Sequence, residues 1–119
     1  MVKLTFALRR APHLSREEFQ TYWREQHAPL VEKHREALGI RRYVQVHTLD
    51  VPANQALRDS RGAPEAYDGV AELWFDSAAL PLSEEAARAG ALLLADEKRF
   101  IDLENSPLWL SEEKPIFGD

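Results

Sequence analysis

Four stretches of the chain carry the apolar and polar pattern of β-strands. They span residues 2–9, 40–49, 67–75 and 108–117. The first stretch alternates strictly between apolar and other residues. One side of its extended backbone carries Val2, Leu4, Phe6 and Leu8. The second and third are rich in β-branched and aromatic residues, which pack well in a pleated sheet. In the fourth, Pro115 cannot donate a ladder hydrogen bond and therefore indicates a sheet edge or a bulge.

The longest helical pattern runs over residues 14–39, where apolar residues recur every three and four positions and share one face. Ser15 and Glu18 have the spacing of a capping box, in which each side chain bonds a free backbone N–H of the first turn. Gly39 can adopt the left-handed conformation that ends many helices. Pro29 has no N–H for the carbonyl of the preceding turn, so it predicts a kink or break in the two residues before it.

A second long helix is predicted over residues 84–101, with Ser83 as its N-cap. Two shorter helical segments are expected in the connections. One covers residues 54–62, inside a stretch rich in proline, asparagine, arginine and glycine, and the other covers residues 76–82.

The resulting order of elements, β-α-β-β-α-β, predicts a single α+β domain of the ferredoxin-like type over residues 1–119. With right-handed crossovers, the strands form a four-stranded antiparallel sheet with both long helices on one face. The other face of the sheet is then open. Because the apolar side of the first strand pairs poorly with water, we expect a second copy of the chain to cover this face in a homodimer.

Composition and charge disfavour several classes of function. The net charge of −5 disfavours a nucleic-acid surface, since phosphate binding needs clustered Lys and Arg. Two short Arg pairs, at residues 9–10 and 41–42, are expected to be solvated strand ends. No apolar run is long enough for a membrane span, and the first residues have a strand pattern rather than that of a signal peptide. With no cysteine, the protein is expected in the cytoplasm and without thiolate chemistry.

His27 is the first candidate for chemistry. It lies four residues after Trp23, so both occupy one helical face beside Pro29. As a general acid/base, a histidine can exchange protons near neutral pH. The neighbours expected to line a substrate pocket are Phe19, Tyr22, Trp23 and Leu30. The alternative is structural, with His27 bonding the backbone carbonyls that Pro29 leaves free.

The second predicted strand carries Tyr43 and His47 on one face. If this face meets the first helix, both side chains converge with His27 across one cavity, as hydrogen-bond partner or second acid. Otherwise His47 is a strand-end residue in water. His34, two helical turns after His27, is expected at the pocket rim or in the core.

The second long helix and the third strand complete the expected pocket. Asp96 and Phe100 are four residues apart and share a helical face, so Asp96 either reaches into the cavity or remains at the surface. Trp74 and Phe75 point to opposite faces of the sheet, which gives one to the pocket and the other to the dimer interface. Trp74 is counted here with the substrate-binding residues.

No local motif supports a metal, nucleotide or nucleophile site. Neither His27 nor His34 has a histidine or carboxylate four residues away, so a zinc or iron site on this helix is disfavoured. A His27–His47 pair with a distant carboxylate stays open. The chain contains no G-x-S-x-G, G-x-G-x-x-G or P-loop sequence. We therefore expect no metal and no cofactor.

Four segments together resemble the EthD-domain family. In chain order they are SREEFQTYWREQHAPLV, GIRRYVQVH, DGVAELWFDS and ADEKRFIDLENS, and the most specific part is W-x-x-x-H-A-P-L at residues 23–30. The resemblance implies a dimeric α+β barrel with a cavity in each subunit between sheet and helices. It leaves the reaction open, since members are labelled oxidoreductases and fungal relatives act as dehydratases or decarboxylases on aromatic polyketides. Related barrels include cofactor-free monooxygenases and an isomerase.

Residues and resemblance together predict a homodimer that binds a small hydrophobic or aromatic molecule. The expected chemistry is cofactor-free proton transfer in an isomerisation, dehydration, decarboxylation or oxygenation, with His27 as the acid/base. The alternative is a non-catalytic accessory or ligand-binding protein of a degradation or biosynthetic pathway, in which neither His27 nor His47 faces the ligand.

Overall fold

A computed structural model describes residues 1–118 of the chain. The four strands are β1 (Val2–Leu8), β2 (Arg42–His47), β3 (Gly69–Phe75) and β4 (Leu108–Ser111). They form one antiparallel sheet in the order β2-β3-β1-β4. This is the ferredoxin-like strand order, so the predicted α+β fold is confirmed.

The helical elements are α1 (Arg16–Tyr22), a π-helical turn (Trp23–His27), α2 (Ala28–Lys33), α3 (Arg35–Leu38), α4 (Pro52–Arg61), α5 (Glu84–Glu97) and a 3-10 turn (Leu103–Asn105). The predicted capping box forms at α1, where Ser15 and Glu18 each accept a hydrogen bond from the other's backbone N–H. Ser83 caps α5 by accepting from the N–H of Ala86. Gly39 ends α3 with a left-handed φ of 71°.

Three predicted boundaries are wrong. Helix α5 ends at Glu97 rather than at residue 101, because Ile101 leaves the helix to form a β-bridge with Arg10. Residues 76–82 form bends and a loop rather than a helical turn. Strand β4 stops at Ser111, whose partner Lys3 lies one residue from the end of β1, so the chain beyond it has no strand to pair with. Strand β4 is at the sheet edge, as Pro115 predicted, although that proline lies outside the strand.

Of the kink or break expected before Pro29, the break does not occur, and this part of the prediction is wrong. Ala28 keeps helical geometry, with φ −57° and ψ −43°. The preceding turn is π-helical, so the Ala28 N–H bonds the Trp23 carbonyl five residues back. Pro29 then falls in the first turn of α2, where an N–H has no helical partner in any case. One wide turn thus absorbs the proline without interrupting the helical path.

The apolar side of β1 faces the helices. Phe6 and Leu8 are buried in the main core together with Phe19 and Phe100, and Leu4 packs on a second apolar cluster. The expectation that these residues need a second copy to cover them is therefore wrong. The alternation along β1 is present as predicted, but its apolar side packs against the helices of the same chain.

The opposite side of the sheet is called here the helix-free face. It carries Lys3, Thr5, Ala7, Arg42, Val44, Val46, Val70, Glu72, Trp74 and Trp109. This face mixes charged residues with exposed apolar ones. Val46 retains 45% and Trp109 48% of its accessible surface.

A buried carboxylate ties α1 to the start of β3. Asp68 is fully buried and accepts hydrogen bonds from the backbone N–H and guanidinium of Arg10 and from the guanidinium of Arg16. Burial alone would raise the pKa of Asp68, but these hydrogen bonds and the charge of Arg10 lower it on balance. Gln20 of α1 also donates to the Asp68 carbonyl. These contacts hold α1, and the π-helical turn that follows it, against the sheet.

Candidate functional site

A cavity of about 270 Å³ lies between the sheet and the helices and is called here the central cavity. Its walls come from β1, β2, β3, the π-helical turn, α2 and α5, and they are mainly aliphatic and aromatic. Three lining residues are titratable, namely His27, Tyr43 and Glu97. Among the described residues, no lysine or arginine lines this cavity. A few polar groups that converge on an apolar cavity are typical of a small-molecule site.

A larger groove, of about 990 Å³, lies along α4. It is wide open to solvent, and the titratable side chains along it are Arg16, Arg58, Arg61, Asp50 and Glu65. Among the described residues, no histidine or tyrosine lines this groove. We therefore take the central cavity as the candidate site.

His27 is held at the wall of the central cavity by Asp96. The His27 Nδ1 lies 2.7 Å from Asp96 Oδ2, and the Tyr22 hydroxyl donates to Asp96 Oδ1 at 2.6 Å. A carboxylate oxygen accepts, so Nδ1 carries the proton and Nε2 is left as the basic nitrogen. No hydrogen bond to Nε2 forms within residues 1–118. Burial lowers the pKa of His27, and the hydrogen bond and charge of Asp96 oppose this change.

The local fold explains why His27 has this position. The π-helical turn places Trp23 and His27 on the inner side of the helix, and both are almost fully buried. Trp23 packs directly over Gly69, where an added Cβ would lie 2.5 Å from its ring. The Phe100 ring lies 5.0 Å from the His27 ring and fills the space behind it. His27 therefore has one polar partner, Asp96, among apolar walls.

The structural alternative for His27 does not describe this geometry. The His27 ring bonds the Asp96 carboxylate, and it makes no hydrogen bond to a backbone carbonyl within residues 1–118. The Trp23 carbonyl accepts from the Ala28 N–H and from the Gln45 side chain at 3.0 Å. Gln45 was not among the predicted site residues. It could have been singled out as the one amide between Tyr43 and His47 on a strand face that the first helix covers.

Tyr43 and His47 are joined through Gln45. The Gln45 amide donates to the Tyr43 hydroxyl at 2.8 Å, and its oxygen lies 2.8 Å from His47 Nε2. His47 also stacks on Trp23, with ring centroids 4.6 Å apart. Burial raises the pKa of Tyr43 and lowers that of His47. Tyr43 lines the central cavity, whereas His47 lies on the far side of Trp23 and does not.

The other predicted site residues fall into two groups. Phe19, Tyr22 and Phe100 pack behind the cavity wall, and Leu30 packs on the second apolar cluster, so they support the site without lining it. Trp74 lies on the helix-free face under Lys3 and Arg42 and donates to Glu113, so its assignment to the pocket is contradicted by its position. Successive strand residues point to opposite sheet faces, and Phe75 is the one that lines the cavity.

Glu97 is the site residue that the sequence reading missed. It lines the cavity next to Asp96 on α5, and burial, followed by the charge of Asp96, raises its pKa to about 7. The predicted helix runs to residue 101 through Lys98 and Arg99, so the sequence carries no clear signal for Glu97. The structure ends α5 with two adjacent carboxylates and no basic residue in the last turn, where the helix dipole disfavours negative charge. Such a local conflict is typical of functional positions.

Within residues 1–118, no group of three or more His, Cys, Asp or Glu side chains is arranged to hold a metal ion. In the same part of the chain, no helix has the length and apolar character needed to cross a bilayer.

Comparisons with known proteins identify the family. An EthD-family (ethyl tert-butyl ether D) protein from Bacillus halodurans is similar in structure, with a TM-score of 0.61 and 20% identity over 96% of this chain and 99% of that one. An EthD-like protein from Ralstonia eutropha gives 0.59 and 21%, over 93% of this chain and 89% of that one. No curated protein sequence matches significantly. The EthD domain matches residues 11–104, most of the chain, which therefore belongs to the EthD-domain family.

Proposed function

We propose that this protein binds a small hydrophobic or aromatic molecule in the central cavity and performs acid/base chemistry on it without a bound cofactor. The observation that carries the proposal is the 2.7 Å contact between His27 Nδ1 and Asp96 Oδ2 at the wall of an apolar cavity. A histidine whose tautomer is fixed by a carboxylate, and whose second nitrogen has no partner within residues 1–118, has the arrangement of a general base.

The chemistry follows from the protonation states. His27 enters the reaction neutral, because burial lowers its pKa. Its Nε2 takes a proton from the bound molecule, and Asp96 stabilises the imidazolium that forms. The same Nε2–H then returns the proton to another atom of the substrate, or to a leaving group. Isomerisation and dehydration both need this pair of steps, and the apolar walls keep water from competing.

Native mass spectrometry of the purified protein tests this proposal. We expect wild type to retain an aromatic or similarly apolar compound from the expression host, and His27→Gln to retain it without converting it. His13→Gln, in an exposed turn, is the matched control. A wild-type protein that carries no compound and binds none from a panel of small aromatics would contradict the proposal. Equal conversion by wild type and His27→Gln would contradict the role of His27.

We also infer that the protein is a cytoplasmic homodimer that assembles through the helix-free face. The support for assembly is the exposed apolar surface on that face, where Val46 keeps 45% of its accessible area beside charged neighbours. Contiguous apolar patches that are rimmed by polar residues are typical of protein–protein interfaces. The absence of cysteine suits a reducing compartment.

A further inference from the structure

Glu97 has a position that the proposed chemistry of His27 does not use. It is the only carboxylate among the described residues that line the central cavity. No side chain within residues 1–118 donates a hydrogen bond or forms an ion pair with its carboxyl group. Glu97 is half-buried. A carboxyl that is partly desolvated against apolar walls, with no partner to compensate it, is costly, so its retention at the cavity wall needs a reason.

The groups around Glu97 leave it free to act on a ligand. On its own helix the nearest charge is Asp96, which is occupied by His27 and Tyr22. From the π-helical turn it faces His27, and from β2 it faces Tyr43, whose pKa its charge helps to raise. The remaining walls are apolar. The surroundings therefore favour the neutral carboxyl, with a pKa of about 7, and a neutral carboxyl is a hydrogen-bond donor.

Gly90 faces the same cavity from the middle of α5, seven residues before Glu97 and thus two turns along the same helix face. A Cβ at this position would meet nothing within 4 Å. Glycine is a poor residue for a helix interior, and neither a close contact nor a left-handed φ requires it here. Its missing side chain leaves space in the cavity.

We propose that the central cavity selects an uncharged molecule of about two fused rings, whose oxygen accepts a hydrogen bond from the Glu97 carboxyl and whose ring system occupies the space beside Gly90. The size follows from the cavity volume of about 270 Å³, since a cavity of about 150 Å³ holds benzene. This inference deepens the proposed function and rests on it, because it concerns the ligand of the same cavity.

Charge decides the ligand class. An anionic ligand would enter a cavity that contains a carboxyl and, among the described residues, no lysine or arginine to compensate it. An ammonium ligand would bring three hydrogen-bond donors to walls that offer few acceptors. To pair with it, Glu97 would have to ionise in an apolar setting, where the charged carboxylate is costly. A carbonyl or amide oxygen has neither cost and accepts directly from the neutral carboxyl.

The test uses three probes on one ring frame: 2-naphthamide, which is neutral, 2-naphthoate, which is anionic, and 2-(aminomethyl)naphthalene, which is cationic. Binding is measured by isothermal titration calorimetry and by the fluorescence of Trp23 in the cavity wall. We expect only 2-naphthamide to bind wild type well. Its affinity should fall about 30-fold from about pH 6 to about pH 8.5, because only the protonated form of a carboxyl with a pKa of about 7 can donate.

Two variants make the test specific. Glu97→Gln keeps a donor that does not titrate, so it should bind 2-naphthamide with no such pH dependence, whereas Glu85→Gln on the exposed side of α5 should behave as wild type. Gly90→Leu should abolish binding while the protein stays folded. Ala91→Leu, at the next and exposed position, is its control.

Three results would overturn the inference: equal binding of 2-naphthoate, preferred binding of the amine, or no binding of 2-naphthamide by a folded wild type. An unchanged pH dependence in Glu97→Gln would also overturn it. This test of the ligand class can succeed or fail independently of the test of the proposed acid/base function. If 2-naphthamide binds as expected while His27→Gln converts the natural compound as well as wild type does, the acid/base proposal fails and the ligand class stands.

Discussion

His27 Nδ1 lies 2.7 Å from Asp96 Oδ2, and this contact between residues 69 positions apart joins the π-helical turn to the last turn of α5. The Tyr22 hydroxyl bonds the other Asp96 oxygen, so the carboxylate is held from two sides. A fixed carboxylate sets both the tautomer and the ring orientation of its histidine. In the proposed chemistry Asp96 is thus a positioning residue, and His27 is the group that would meet the ligand.

Replacing Asp96 with Asn should weaken His27 as a base without removing it. The hydrogen bond and charge of Asp96 partly offset the effect of burial, so their loss should lower the pKa of His27 further. We expect turnover to fall about 10- to 100-fold, the usual cost of losing an orienting partner. The readouts are an NMR titration of the His27 ring and the pH profile of turnover.

Asp76→Asn, at an exposed carboxylate, is the matched control for Asp96→Asn. A His27 pKa that stays at its wild-type value in Asp96→Asn would show that the contact does not govern the imidazole. If the pKa of His27 shifts in Asp96→Asn while turnover is unchanged, the contact between His27 and Asp96 does not contribute to catalysis.

Replacing Glu97 with Gln should stabilise the protein at alkaline pH only. The pKa of Glu97 rises from 4.5 to about 7 on folding, so the folded state holds a proton that the unfolded chain releases above its own pKa. Stability from this group is therefore complete below about pH 4.5 and is lost as pH rises through about 7. The loss amounts to at most about 3 kcal/mol, and the partly exposed carboxyl should show less.

Urea unfolding of wild type and Glu97→Gln at about pH 5 and about pH 8 measures this difference. The two proteins should be similar at the lower pH, and the variant should be more stable at the higher one. Glu85→Gln should show no such pH-dependent gain. A gain of equal size at both pH values would mean that packing, not titration, distinguishes the variant.

Replacing Gly69 with Ala should distort the wall that holds His27. The new Cβ would lie 2.5 Å from the Trp23 ring, and Trp23 is almost fully buried between Phe19 and His47. We expect a destabilisation of about 1–3 kcal/mol, as for other overpacked cores. Near-ultraviolet circular dichroism should report the displaced indole. Gly90→Ala, where a Cβ meets nothing within 4 Å, should instead be neutral or stabilising by up to about 1 kcal/mol.

The fold was predictable because its signals are local. The capping box of Ser15 and Glu18, the alternation of β1 and the order of elements each depend on near neighbours in sequence, and each appears in the structure. Pro29 was misread because a proline in a helix has two outcomes, a break or a wide turn. The wide turn that does occur lies against the sheet, where Trp23 packs over Gly69, and the sequence of that helix does not contain this contact.

The site was predictable only in part, because its members meet through tertiary packing. His27 and Tyr43 were identified from residue type and spacing, and both line the central cavity. Asp96 was left open between cavity and surface, and only the approach of α5 to the π-helical turn decides that it meets His27. Glu97 was overlooked because its place at a helix end, which opposes the dipole rule, is known only once α5 is seen to stop before Lys98 and Arg99. Their functional roles remain predictions.

The proposed homodimer makes a prediction about Val46, the penultimate residue of β2, which keeps 45% of its accessible surface on the helix-free face. If a second copy covers this face, Val46→Asp would bury an unpaired carboxylate in the interface. We expect dimer affinity to fall about 30-fold or more, the size of a loss of about 2 kcal/mol at a central contact. Sedimentation equilibrium of wild type and variant measures it. Leu57→Asp, at a more exposed apolar residue on α4, should leave the dimer intact. A monomeric wild type would contradict the proposed dimer. A Leu57→Asp variant that dissociates while Val46→Asp does not would show that the helix-free face is exposed to solvent and that the interface lies elsewhere.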